Sequence, residues 1–402
     1  MDTLPSINKN ICDKCKVNKS TILIRQAKFC TNCFKINYTN KFKSNLSKSS
    51  SPVIDARADI MAAISGGANS ISLLDLISDF QIPKTSSHQK YNSLSIGHID
   101  ESTLFPSSDE NSIMNIIKKY PFKSVTRKLE EVFESNKYNT FFKTHKRTGN
   151  DVTFSKAETE DLKSPSELLL SFFESITSPS TKDYMLTQIK NFLILDMAKE
   201  LKCQVVATGD TSTSIANKTI LNIVEGRGYS LPFDIGAESS QDPEVWILRP
   251  LRTSTKKEVA FYNHVSGLES CVVPSFSTKA SGSDNSLISL GHLTETFLSG
   301  LDSEFPATVS TVASTVSKIK INDEIKESDP SCLLCFSKIS KHASRYKNEV
   351  SVGFRDDSES IQNHADLTSI QTQLCYACLA NVENLVPNTV LPGFVSQTST
   401  ST

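Results

Sequence analysis

Ala62-Ala63-Ile64-Ser65-Gly66-Gly67-Ala68-Asn69-Ser70, running directly into Ile71-Ser72-Leu73-Leu74-Asp75-Leu76-Ile77, decides how the rest of the chain is read. The apolar run Ile60 to Ile64 predicts a buried strand, the two glycines a tight turn with close backbone approach, and the Ser/Asn-led segment a helix to about Phe80. A strand, loop and helix of this kind aim backbone N–H groups and the positive end of a helix at an anion, and Ser65 and Ser70 add hydroxyl donors. A phosphate is the natural guest, although an ordinary Gly-rich strand-to-helix turn has the same sequence.

Outward from this unit, strands and helices alternate. Tyr91 to Asp100 predicts a second strand ending in an acid, followed by a helix over Ser112 to Lys119 and a short strand around Phe122 to Val125. The polar stretch Lys137 to Ser164 resembles an insertion more than core. Ser166 to Phe173 and Tyr184 to Leu201 predict helices, the second with Ile189, Leu193, Asp196, Met197 and Leu201 along a mainly apolar stripe. Cys203 to Asp210 is another buried strand, ending in Gly-Asp. The alternation predicts an α/β fold with a doubly wound, mostly parallel sheet. Ligands of such sheets sit outside the carboxyl ends of the strands, which places Asp100 to meet a ribose or base; a loop-capping Asp would read the same.

The chain is 402 residues long, enough for two or three domains, and its 43 Lys+Arg against 44 Asp+Glu give a formal net charge of -1. That balance hides an asymmetry: residues 1–50 hold ten basic and two acidic side chains, an electrostatic footprint of nucleic-acid binding or a solvated basic arm. Lys14, Lys16, Lys19 and Arg25 are its candidates for RNA contact. No apolar run reaches the length of a membrane span and the first residues lack signal-peptide character, so a soluble cytoplasmic protein without membrane association is expected.

Eight of the ten cysteines form four Cys-x-x-Cys pairs, suited to metal thiolates in a reducing compartment. Cys12, Cys15, Cys30 and Cys33, with fourteen residues between the pairs, predict one tetrahedral zinc site on a short hairpin over Ser20 to Arg25. Cys332, Cys335, Cys375 and Cys378, around a 39-residue spacer, predict a second. A RING-type site would need further ligands, and His342 and His364 stand at the wrong spacing. The single Cys203 and Cys271 read as small buried hydrophobes. The expected division is a zinc module over 1–43, a Ser/Lys-rich linker over Ser44 to Ser51, an α/β domain over 52–274, a linker over Ser275 to Ser289, a helical segment with the second zinc module over 290–390 and a disordered tail over 391–402. A helix is predicted over Leu293 to Leu301, and Gly226-Arg227-Gly228 as a mobile loop presenting a guanidinium to phosphate.

Ser65-Gly66-Gly67-Ala68-Asn69-Ser70 resembles the Ser-Gly-Gly-x-Asp-Ser pyrophosphate loop of the N-type ATP pyrophosphatases, which adenylate a substrate with ATP and release pyrophosphate. Asn69 stands where that family has an acid, and an amide offers no charge to magnesium, so the loop is expected to keep its geometry while ATP binding is placed in question. Further along, the chain departs from the tRNA-thiolating branch: Tyr184 and Thr187 stand at the positions of a catalytic Cys-x-x-Cys, Asp210 at that of a histidine, and Thr213 and Ser214 at those of two acids. Together with Glu225 to Pro232, Leu248-Arg249-Pro250-Leu251 and Phe305 to Thr311, this pattern is similar to the second-subunit family of the cytoplasmic tRNA 2-thiolation complex, from Cys12 to Cys378.

The resemblance implies an adenine nucleotide alpha hydrolase-like fold flanked by zinc-ribbon-like modules, and no catalytic residue in this chain. It further implies a heterodimer with the active thiolase, tRNA binding, and 2-thiolation of the wobble uridine (5-methoxycarbonylmethyl-2-thiouridine) in tRNAs for lysine, glutamate and glutamine, with sulfur from a thiocarboxylated ubiquitin-related modifier. The competing readings are an ATP-dependent tRNA sulfurtransferase active in its own right, and a zinc-ribbon RNA-binding scaffold.

Overall fold

The computed structural model describes residues 11–24, 26–47, 58–81, 91–106, 108–138, 140–146, 152–157, 163–239, 242, 244–272, 275–276, 288–305, 307–316, 318–319, 329–339 and 373–395. A short hairpin of β1 (Ile22–Ile24) and β2 (Ala27–Phe29) leads into α1 (Thr31–Ser47). The glycine-loop unit follows as β3 (Ile60–Ala63) and α2 (Ala68–Gln81), then β4 (Leu94–Asp100), α3 (Glu110–Ile117) and β5 (Lys123–Lys128). After a hairpin of β6 (Phe142–Lys146) and β7 (Val152–Lys156) come α4 (Pro165–Ser175), α5 (Pro179–Glu200), β8 (Val205–Ala207) and α6 (Ser212–Val224). The chain continues through α7 (Leu231–Ile235), β9 (Glu238–Ser239), β10 (Trp246–Leu248), α8 (Lys256–Ser266), α9 (Leu290–Glu304), α10 (Thr308–Val316) and α11 (Tyr376–Val382).

The central sheet has the order β5-β4-β3-β8-β10-β9, five parallel strands with β9 added antiparallel at one edge. From β3 the chain first winds outward through β4 and β5 and then returns to β8 and β10, so the switch point lies between β3 and β8. Alternation along β3 divides the core: Met61 joins a layer with α4 and α5, whereas Ile60 and Ala62 join one with α1, α2, α3 and α8. The expected doubly wound α/β fold is the one present.

Three expectations need correction. The N-terminal module does not end at residue 43: its helix α1 runs into the supposed linker as far as Ser47, where Leu46 is buried and Asn45 donates to the Pro250 carbonyl (2.9 Å) and to Thr253 Oγ1 (2.7 Å). The polar stretch Lys137 to Ser164 contains the β6–β7 hairpin, whose Phe141 and Phe154, with the preceding Tyr138, lie in the main core. It is held by the far end of the chain, through bridges of Lys143 to Val390 and bonds of Thr144 with Thr389 and Asn388. Finally, the residues around the C-terminal cysteines do not stand apart from the α/β domain: Cys332 to Cys335 and Cys375 to Val395 supply side chains to the same core layer as Phe172 and Leu193. The same layer takes in Leu391, Phe394 and Val395, so the disordered tail expected over 391–402 does not start at 391. Most of the linker expected over Ser275 to Ser289, His342, His364 and residues 396–402 lie outside the described residues.

If the hairpin is core, Phe141→Ala should cost about 3–5 kcal/mol in urea unfolding. A loss below about 0.5 kcal/mol would mark it as the surface insertion its polarity suggests.

Candidate functional site

The loop from β3 to α2 has the geometry its glycines predict, but only at one of them. Gly66 has φ +82°, and a Cβ there would come within 2.6 Å of Ile113 on α3. Gly67 lies outside the positive-φ region and a Cβ would meet nothing nearer than Ser65 Oγ at 3.6 Å, so the tight turn and close approach expected of the two glycines fall on Gly66. The loop's polar groups are used internally: Ser70 Oγ donates to the Gly67 carbonyl (2.9 Å), and Ser65 Oγ donates to Ser70 Oγ (3.3 Å). It is braced from outside by the Cys271 N–H on the Gly66 carbonyl (2.9 Å) and by Asn263 Nδ2 on the Ala68 carbonyl (2.9 Å). His98 adds Nδ1 against the Ile64 carbonyl at 2.7 Å.

Across the switch point, Asn69 Nδ2 donates to Ser214 Oγ at 3.4 Å. Two neutral side chains thus meet where the resemblance expects acids on both sides, and neither brings charge to a magnesium ion. Asp100 ends β4 and caps its own turn by accepting from the Ser102 N–H (2.9 Å). Gly209 lets the two loops touch, since a Cβ there would lie 3.0 Å from the Asn69 carbonyl carbon and Ser70 nitrogen.

Beside the loop, between α5, α6 and β10, opens a cavity of about 290 Å³. Its wall includes Tyr184 and Thr187, at the expected cysteine positions, and Asp210, at the expected histidine position. Ser65, Asn69 and Asp100 are not among its lining residues. Thr187 Oγ1 is turned back onto the Asp183 carbonyl (2.8 Å). The Asp210 carboxylate accepts from Lys218 Nζ (2.7 Å), Arg249 Nε (3.2 Å) and Thr208 Oγ1 (2.9 Å). Burial opposes its ionisation, but Lys218 and Arg249 outweigh that and hold its carboxyl well below the usual range. It is a structural anion held by three donors. Glu225 differs: burial, opposed by Arg227 and aided by Asp234 and Asp183, pushes its carboxyl up to about 7.

Arg227 is not on a mobile surface loop. It is 4% exposed and donates Nη1 to Tyr184 Oη (2.9 Å) and Nη2 to Asp234 Oδ2 (2.8 Å) and Ser337 Oγ (2.9 Å). These bonds remove it from the candidates for phosphate binding. Its partners Asp234 and Ser337 escaped the sequence reading because neither stands in a motif. Lys14, Lys16 and Lys19 are exposed, with Lys16 near Asp13, and Arg25 lies outside the described residues.

The eight paired cysteines come together as two sets of four, each with its sulfurs within 4.8 Å of one another. Sulfurs about 3.8 Å apart are what a tetrahedral ion with ~2.3 Å bonds to sulfur requires. Cys15 and Cys30 Sγ lie 4.0 Å apart and Cys335 and Cys375 Sγ 3.7 Å apart, and none of the eight is disulfide-bonded. Each set could therefore hold one metal ion. Both are built alike: the first pair sits on a tight turn in which Lys16 (φ 55°) or Phe336 (φ 61°) returns its N–H to the Cys12 or Cys332 carbonyl, and the second pair opens α1 or α11. The N-terminal set is half-buried at Cys15 and Cys33, whereas all four C-terminal cysteines are buried. Cys203 is buried, as expected, whereas Cys271 is only half-buried.

A glycine-turn strand–loop–helix at the switch point of a parallel sheet, with a cavity at the carboxyl ends of its strands, defines an α/β protein of the ATP-pyrophosphatase type. The same fold occurs in the U34-tRNA thiolase NcsA of Methanococcus maripaludis, solved with its [4Fe-4S] cluster (TM-score 0.53, 15% identity, covering 79% of this chain and 91% of that one). The family model described as cytoplasmic tRNA 2-thiolation protein 2 matches residues 289–380. Similar proteins include cytoplasmic tRNA 2-thiolation protein 2-A of Xenopus laevis, 27% identical with 96% of this chain and 90% of the relative covered, and cytoplasmic tRNA 2-thiolation protein 2 of Homo sapiens, 25% identical over 96% and 88%. The family that the sequence resembles, cytoplasmic tRNA 2-thiolation protein 2, is the one whose model matches residues 289–380 and whose named proteins are similar over 96% of the chain.

Because Gly66 alone carries the strained turn, Gly66→Ala should destabilise the protein by about 1–3 kcal/mol and Gly67→Ala by much less. Equal losses in thermal or urea melts would show that the loop's conformation differs from this one.

Proposed function

We propose that this chain is the non-catalytic subunit of a cytoplasmic complex that 2-thiolates the wobble uridine of tRNAs for lysine, glutamate and glutamine. In this reading it pairs with a catalytic thiolase, which adenylates the uracil oxygen with ATP and takes sulfur from a thiocarboxylated ubiquitin-related modifier. The observation that carries it is the occupancy of the family's working positions: Tyr184 and Thr187 bring no thiol, Asp210 is neutralised by Lys218 and Arg249, and Asn69 meets Ser214 without charge. None of the cavity's lining residues is a cysteine, and Asn69 and Ser214 bring no carboxylate to the loop for magnesium. Among the described residues no helix is long and apolar enough to cross a membrane.

The metal in both thiolate sets is proposed to be zinc. Four filled positions leave none open for water or substrate, as in structural sites, and a four-iron cluster, with each thiolate on a different iron, spreads its sulfurs farther than a single ion does. Zinc here supplies no chemistry beyond holding each knuckle to the segment that follows it. The N-terminal lysines Lys14, Lys16 and Lys19, presented on the first knuckle, form the proposed tRNA surface.

Two measurements test this. Mass spectrometry of tRNA nucleosides from cells lacking the chain should show the wobble 2-thiouridine lost, and Asn69→Ala should restore it nearly as well as the unaltered protein. Retained thiouridine would end the proposal; failure of Asn69→Ala in a complex that still assembles would favour an enzyme working at this loop. Neutralising Lys14, Lys16 and Lys19 together should weaken tRNA binding and flatten its salt dependence by about 0.9 log units of slope for each duplex phosphate no longer neutralised. An unchanged slope would leave the lysines as solvated side chains.

A further inference from the structure

The C-terminal thiolate set touches the cavity through one residue. Tyr184 Oη lies 3.0 Å from Cys378 Sγ, and Arg227 Nη1 donates to that same oxygen. With one lone pair of the phenol accepting from Arg227, its hydrogen is directed elsewhere, and a metal-bound thiolate can only accept. Tyr184 therefore donates to Cys378. Behind it, Arg227 is fixed by Asp234 Oδ2 (2.8 Å) and Ser337 Oγ (2.9 Å), and Ser337 itself donates to Asp234 Oδ1 (3.2 Å). Ser337 closes the first knuckle, its carbonyl accepting from the Cys332 N–H (2.8 Å). A second approach is independent of these: Gly226 has φ +76°, and a Cβ there would come within 2.8 Å of the Tyr376 ring, the residue after Cys375. The 225–228 turn is thus pressed onto the helix that carries Cys378 and follows Cys375.

We propose that Tyr184 and Arg227, anchored by Asp234, are the positioning residues of the C-terminal metal centre. They form a carboxylate–guanidinium–phenol relay that donates to Cys378 and makes the cavity wall and the metal site one rigid unit. Outer partners of this kind orient thiolate ligands and lower their tendency to leave the metal, and their loss usually weakens metal binding by about 10–100-fold. The N-terminal set has no such relay among the described residues: Cys12 and Cys15 accept from backbone N–H groups, and Asn18 Nδ2 lies 3.9 Å from Cys30 Sγ. It serves as an internal control. None of this depends on tRNA thiolation.

The test uses the full, zinc-loaded chain. Its cysteines are alkylated with N-ethylmaleimide in the presence of the chelator 4-(2-pyridylazo)resorcinol, and each cysteine peptide is followed by mass spectrometry. In Tyr184→Phe and in Arg227→Gln, alkylation of Cys332, Cys335, Cys375 and Cys378 should accelerate about 10–100-fold, with Cys12, Cys15, Cys30 and Cys33 unchanged. Arg227→Lys should recover part of the protection, since it keeps one donor for Tyr184 but not the fork to Asp234 and Ser337. If Arg227→Gln does not fold, Tyr184→Phe decides alone, for it removes one hydroxyl and keeps the ring. Unchanged C-terminal rates, equal acceleration at both sets, or C-terminal cysteines that react like free thiols in the unaltered protein would each overturn the proposal.

Discussion

A parallel sheet is apolar on both faces, so both faces must be covered, and in this protein each cover contains a segment that issues from a four-thiolate set. On one side α1 begins directly after Cys30 and lays Phe34, Tyr38, Phe42 and Leu46 over the layer shared with α2 and α8, where Tyr38 stacks on Tyr262 at 4.7 Å. On the other side residues 332–339 and 373–395 close over α5, where Phe394 stacks on Phe192 at 4.3 Å. Neither cover is an independent domain that could leave without exposing sheet. A structural metal ion held by four thiolates contributes on the order of 10 kcal/mol in small modules, comparable to the whole stability of a domain, so an ion bound in either set would link its occupancy to the integrity of the α/β core.

The same linkage explains what could be read from the sequence. The β3–loop–α2 unit was legible because a run of apolar residues, two glycines and a helical period agree with one another over fewer than twenty positions. The cysteine sets were legible because their spacing encodes a tetrahedron. Pairings between distant segments carried no such local signal. Lys137 to Ser164 looks like an insertion because its hairpin is polar on one side; Phe141 and Phe154 count as core only once Val390 and Thr389 are seen to pair with it. Asn45 looks like linker until Pro250 and Thr253 appear beside it.

Arg227 is the sharpest case. A guanidinium between two glycines reads as a surface group, and the physical chemistry of Arg makes phosphate its natural partner. In the fold, Gly226 is there to let the turn approach Tyr376, and the guanidinium is consumed by Tyr184, Asp234 and Ser337. The glycine signal was about close packing, and composition alone does not separate close packing from exposure.

That distinction also governs the loop at the switch point. Its glycines survive although the charged groups expected around it do not, and the reason lies in backbone geometry. Gly66 must turn under Ile113, and Gly209 must let the β8–α6 connection lie against Asn69 and Ser70. Both requirements persist whether or not a nucleotide is bound, because they join β3 to β8 at the centre of the sheet. Retained glycines are therefore evidence for the fold, and the chemistry must be judged from side chains. There Asn69 and Ser214 share a neutral hydrogen bond, and Asp210 spends its charge on Lys218 and Arg249. Where the resemblance expects ligands for magnesium and a nucleophile, the chain instead holds bonds that stiffen its own scaffold.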